Sequence, residues 1–147
     1  MAGWPLAFNA GRLQPARRRT RNPIGGCRID PNAPNVVKSP LTEHDRQVLA
    51  AEPFGDMFKL VVDITRLTVT VGGDFHAEGE SLMLAGGARQ EDLWGANYYP
   101  ARPAGLRLEY SALINIRPAR NNRGHLIESE EIKKVVREVV ARMIGPI

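Results

Sequence analysis

Two runs of alternating residues stand only two positions apart, and that spacing constrains the fold more than any other feature of the chain. From Phe58 to Ile64, Leu60, Val62 and Ile64 share one side, and Lys59, Val61 and Asp63 the other. Leu67-Thr68-Val69-Thr70-Val71 alternates again and is rich in the β-branched residues that strands favour. Only Thr65 and Arg66 separate the two runs. A parallel crossover needs about a dozen residues or more, so these strands form an antiparallel hairpin. Gly72-Gly73 ends it.

The other elements follow from the same kind of pattern. Asn35 to Lys38 reads as a short strand, and a helix follows with Ser39 as N-cap and Pro40 at its first position, through about Glu52. Ala77 to Ala85 reads as a short helix with Asp74 as a candidate cap and Gly86-Gly87 at its end. Leu93 to Tyr99 is a strand that Pro100 stops. Leu106 to Arg117 alternates throughout and is expected to be one long strand, with Asn115 and Arg117 on its wet face. Ser129 caps a last helix whose apolar residues, from Ile132 to Ile144, recur at three and four. Glu130–Lys134 and Glu138–Arg142 are spaced to pair on its outer side. The order is β-α-β-β-α-β-β-α, an α+β domain with a mainly antiparallel sheet, one face buried under layered helices and one face wet.

Charge divides the 147 residues unequally. Residues 1–38 hold six Arg and one Lys against a single acid, and the remaining 109 hold thirteen bases and fifteen acids. The overall +4 is therefore a property of the first segment. The first forty residues also hold six of the eleven prolines. Residues 1–34 are expected to be a disordered basic tail, and 35–147 a single α+β domain. The tail fits three readings: an arm that touches acidic surfaces such as nucleic acid, a targeting segment, or a dispensable extension. The single Cys27 excludes an internal disulfide framework. No apolar run approaches the roughly eighteen residues of a membrane span, so the protein is expected to be cytoplasmic.

Candidate chemistry is sparse. His76 and Glu80 stand four apart, and a neighbouring carboxylate can fix an imidazole's tautomer for acid–base work. No metal site is expected from three His and one Cys. Asp63, Asn97 and Asn115 interrupt strands, where such residues are disfavoured. Their ordinary explanation is a solvated sheet face; the sharper one is a shared polar site there, joined by Glu109, Ser111 and Arg117. Arg117, Arg120 and Arg123 precede the last helix, where arginines hold anions well. The expected site thus has His76, Asp63 and Glu80 in acid–base roles and Asn97, Asn115, Arg117 and Arg123 as binding groups for a small anionic ligand. Asn115 and Arg117 would project from one strand about 7 Å apart. The competing reading is an interaction module, with the basic tail contacting nucleic acid and Leu113 on the wet face favouring a homodimer. Neither reading implies a particular cofactor.

From Phe54 to about Ile144 the chain resembles a small bacterial family of uncharacterised domains. The resemblance rests on Phe54-Gly55-Asp56-Met57, Val61-Val62-Asp63-Ile64 and Val71-Gly72-Gly73-Asp74-Phe75-His76-Ala77. It continues through Arg89-Gln90-Glu91-Asp92-Leu93-Trp94-Gly95 with Asn97, and Ile114-Asn115-Ile116-Arg117-Pro118. Asn121-Asn122-Arg123-Gly124-His125 departs from the serine between two arginines that such loops carry. The resemblance implies no reaction, cofactor or partner.

Overall fold

The computed structural model describes residues 29–147; the expected tail lies outside the described residues up to position 28, including the Arg17–Arg21 run proposed for nucleic acid. Strand β1 is Asn35–Val36, helix α1 Glu43–Ala51, β2 Phe58–Asp63, β3 Thr68–Val71, α2 His76–Ala85, β4 Leu93–Tyr98, β5 Leu108–Glu109 and α3 Glu130–Met143. The five strands form one antiparallel sheet in the order β1-β3-β2-β4-β5. The expected α+β class, antiparallel sheet and element order are those observed.

Strand alternation sorts the interior into two layers. Phe58, Leu60 and Val62 of β2, Val69 and Val71 of β3, and Trp94, Ala96 and Tyr98 of β4 face α1 and α3. Val136, Val139 and Val140 from α3 and Leu49 from α1 fill that layer. A fully buried side chain of this size contributes roughly 1.5–3 kcal/mol. The opposite face is not wet. Helix α2 lies across it, with Met83 against Val61 and Leu93, and Ile114 closes the side. Gly79 makes this close approach possible: a Cβ there would stand 2.5 Å from Thr70 Oγ1 and 2.9 Å from Val61 Cγ2. Asp63, Asn97 and Asn115 are consequently buried rather than solvated.

Several boundaries move, each for a visible reason. Helix α1 starts after Thr42, not Ser39, because Leu41 is in the core and its N–H donates to Met143 O at 2.9 Å. Thr42 and Asp45 then form a reciprocal capping box. Asp74 does not cap α2; Glu78 reaches back and accepts from the N–H groups of Asp74 and Phe75. The hairpin turn is longer than two residues, since Leu67 adopts φ 56° and β3 begins at Thr68. Ser129 caps α3 as expected, accepting from Ile132 N. On α3, Glu130 pairs with Lys133 at 3.3 Å rather than Lys134, and Arg142 donates to Leu67 O.

The largest correction concerns Leu106 to Arg117. Only Leu108–Glu109 pairs as a strand, followed by an isolated bridge from Ser111 to Leu126. Leu113–Asn115 and Pro118–Arg120 are single 3-10 turns. Gly95 lies where the next rung would run, and the space of its missing Cβ is taken first by Ala112 Cβ, with His76 Cδ2 and Ile114 Cγ1 at 3.1 Å each. The chain turns over this spot instead of continuing beside β4.

Because α2 rests directly on Thr70 and Val61, Gly79→Ala is expected to destabilise the domain by about 1–3 kcal/mol, the usual cost of overpacking. Thermal and denaturant melting of the full chain measures it; an unchanged midpoint would show that α2 sits more loosely.

Candidate functional site

The sheet face beneath α2 is organised as rows of cross-strand neighbours. Lys59 stands opposite Asn97, and Asn97 opposite Glu109. Directly opposed residues have Cβ atoms about 5 Å apart. His76, the first residue of α2, sits above this row, with Nε2 2.9 Å from Ala96 O. A carbonyl accepts only, so the neutral imidazole carries its proton on Nε2. The ring's Cδ2–Nε2 edge lies on β4, which turns the Nδ1 edge away from the strand.

Asn97 is oriented from behind. Its Nδ2 donates to Glu109 Oε1 at 3.0 Å and to Ser111 O at 3.2 Å. Glu109 is itself approached by Tyr99 Oη at 3.5 Å and Arg102 at 4.0 Å, and Arg102 stacks 3.3 Å above the Tyr99 ring. With the amide held this way, the buried Oδ1 of Asn97 has no hydrogen-bond partner. His76, Asn97 and Tyr99 line a cleft of about 460 Å³ with Lys59, Ser111, His125, Asp56 and apolar Phe54, Met57 and Leu113. Its size is that of an ordinary small-molecule site. Lys59 Nζ lies 5.0 Å from the Phe54 ring centroid and 5.9 Å from that of Phe75, with no carboxylate partner among the described residues.

Burial lowers the His76 pKa below its ordinary value, against the bond to Ala96 O that favours the charged ring. The Lys59 charge lowers it further, while Asn97 and Glu109 oppose it.

The structure brings His76 and Asn97 together and gives the remaining expected site residues other work. Asp63 closes the hairpin, its Oδ1 accepting from Thr65 N and Arg66 N at 2.9 Å each. It stands four residues along β2 from Lys59, about 13 Å away. Glu80 forms a half-sequestered ion pair with Arg117 at 3.3 Å and accepts from Gln90, and does not support His76. Arg117 also donates to Leu93 O at 2.5 Å and lies 5.2 Å from the Trp94 ring. Asn115 is fully buried, and its carboxamide pairs with the Gly95 N–H and C=O at 2.7 and 2.9 Å. Asn115 and Arg117 therefore do not project from a common strand. Arg123 is exposed, outside the cleft. Asn122 is buried and donates to Asn115 O, Gly124 O and Leu126 O while accepting from Glu128 N. No group of three or more His, Cys, Asp or Glu among the described residues is placed to hold a metal.

Lys59 and His125 carry no site signal in the sequence. The pairing of β2 with β4 is the signal that would have found Lys59, since it stands opposite Asn97.

The architecture is an α+β domain with helices on both faces of a short antiparallel sheet and a polar cleft at the start of α2. The chain belongs to the family described as "Protein of unknown function (DUF5674)", whose model matches residues 35–143. No curated protein and no solved structure matches it. No helix among the described residues is long and apolar enough to cross a membrane.

The neutral, buried His76 has a stability consequence. An unfolded histidine takes up a proton near pH 6.5, and the folded one only at lower pH. Its contribution to stability is therefore lost as pH falls from about 6.5 through the folded value. His76→Gln keeps a donor near Ala96 O and removes the titration. The stability difference between the full chain and this variant should shrink from pH 7.5 to about pH 5. A constant difference in denaturant melts would show that His76 titrates normally.

Proposed function

We propose that the cleft between α2 and the β4–β5 edge binds a small anionic molecule, with Lys59 as the cation and His76 as an available proton acceptor. The observation that carries this reading is the cross-strand row itself: Lys59, with no carboxylate partner among the described residues, stands beside Asn97 on a cleft of about 460 Å³. Phe54, Met57 and Leu113 would receive the ligand's apolar part. His76 Nδ1 bears a lone pair, so the same site is suited to proton abstraction as well as to binding.

A second reading is favoured by the rim. Phe75 is 66% exposed and Leu113 79%, unusual for side chains of their size on one edge of a site. A protein partner, or a second copy of this chain, would cover them. The basic tail's proposed contact with nucleic acid belongs to this reading.

Titrating the full chain with 4-methylpentanoate tests the first reading. Saturable binding is expected, with a dissociation constant raised about tenfold or more by Lys59→Met, since charge-assisted contacts are the strong ones. Shifts of the Asn97 side-chain amide in NMR spectra would locate it. An unchanged affinity in the variant, or no saturable binding, would contradict it.

A further inference from the structure

We propose that the ligand of this cleft is an aromatic monocarboxylate, its carboxylate at Lys59 and its ring against Phe54 and Phe75. The inference rests on the anion-binding reading and extends it to the group that bears the charge.

Lys59 is gathered with ring faces that solvent reaches. Its Nζ lies 5.0 Å from the Phe54 centroid and 5.9 Å from the Phe75 centroid. Phe54 is 42% exposed and Phe75 66%, so both rings present open surface. Two rings gathered on one ammonium at a cleft form an exposed apolar patch, the kind of surface that marks a binding site. A carboxylate oxygen on Lys59 would stand about 2.8 Å from Nζ. The group bonded to that carboxylate can then lie about 4.5–7 Å from the two centroids, the separation at which aromatic rings attract one another.

An aromatic ring suits that position better than an alkyl chain. Ring faces are negative and ring edges positive, so rings meet offset or edge to face and gain more than the area they bury. Phe54 and Phe75 already use their faces in this way toward the Lys59 ammonium. Tyr99 brings a third ring to the cleft wall, with Arg102 3.3 Å over it. Met57 lines the same cleft, and thioethers also pack favourably on rings.

Charge limits the ligand to one carboxylate. Lys59 is the one lysine or arginine among the described residues that line the cleft, and Asp56 lines it too. Glu109 stands opposite Asn97 on the neighbouring strand. A second carboxylate, or a phosphate dianion, would meet these acids with no second cation to offset the repulsion.

Benzoate and cyclohexanecarboxylate separate this inference from the reading beneath it, being alike in charge and carbon skeleton and different in the ring's flatness and π-electrons. Calorimetric titration of the full chain at pH 7.5 is expected to show benzoate binding about threefold or more tightly. Apolar area alone predicts the reverse, because the saturated ring is the larger hydrophobe. Replacing both exposed rings, Phe54→Leu with Phe75→Leu, should abolish the preference while cyclohexanecarboxylate still binds. Equal or tighter binding of cyclohexanecarboxylate to the natural chain, or a preference that survives the loss of both rings, overturns the aromatic inference and leaves the anion reading intact. Saturable binding of neither acid overturns both.

Discussion

The outer edge of β4 is where this fold is decided, and one side-chain amide holds it. Ile64 N donates to Asp92 O and Tyr99 N to Arg107 O, so successive β4 residues alternate between β2 and the outer side. Leu93, Gly95 and Asn97 thus turn their backbone groups outward. Strand β5 reaches only Asn97 and Tyr98, and Gly95 would be left with a buried unpaired donor and acceptor. Such a group costs about 1–3 kcal/mol. The Asn115 carboxamide supplies both partners, acting as one rung of a strand that is absent. Arg117 caps Leu93 O in the same way.

The rest of the loop follows from that anchor. Asn122 gathers the carbonyls of Asn115, Gly124 and Leu126 on one amide and receives Glu128 N on its oxygen. Asn121 supports the turn with φ 57°, a conformation Asn tolerates better than most residues. Ile127 is thereby delivered into the core, Ser129 arrives where it can cap α3, and α3 covers the far face of the sheet. Further along, β5 itself satisfies the backbone of Asn97, and the Asn97 side chain ties the start of the loop by donating to Glu109 and Ser111 O. The same edge is thus closed by side chains around Asn115 and Arg117 and by β5 around Asn97.

Much of the fold was legible from residue patterns. The hairpin, the antiparallel sheet and the element order follow from period-two runs and short connections, and α3 from its apolar stripe and Ser129. Residues 106–117 were misleading because alternation records which residues are apolar, not whether backbone partners exist. There the amide of Asn115 replaces the ladder that the pattern implied. The supposed wet face failed for a related reason. Gly79 looked like a flaw in a helix, but it is what lets α2 press onto Thr70 and Val61. In the site, His76 was legible through its four-residue spacing from Glu80, and Asn97 as a polar interruption of a strand. Asp63 interrupts its strand in the same way, and Glu80 and Arg117 stand at equally suggestive positions, yet they serve a turn and an ion pair. Spacing along the chain does not reveal which polar residues have already found partners.

Asn115 serves the strand edge as a backbone partner of Gly95 rather than as a binding group. Amide hydrogen exchange of the full chain, compared with Asn115→Ala, tests it at the residue concerned. The Gly95 N–H should be protected nearly as well as the core of β2, and the variant should lose that protection with about 1–3 kcal/mol of global stability. A variant that melts like the natural chain, with the Gly95 amide still protected, would show that the strand edge does not depend on this side chain.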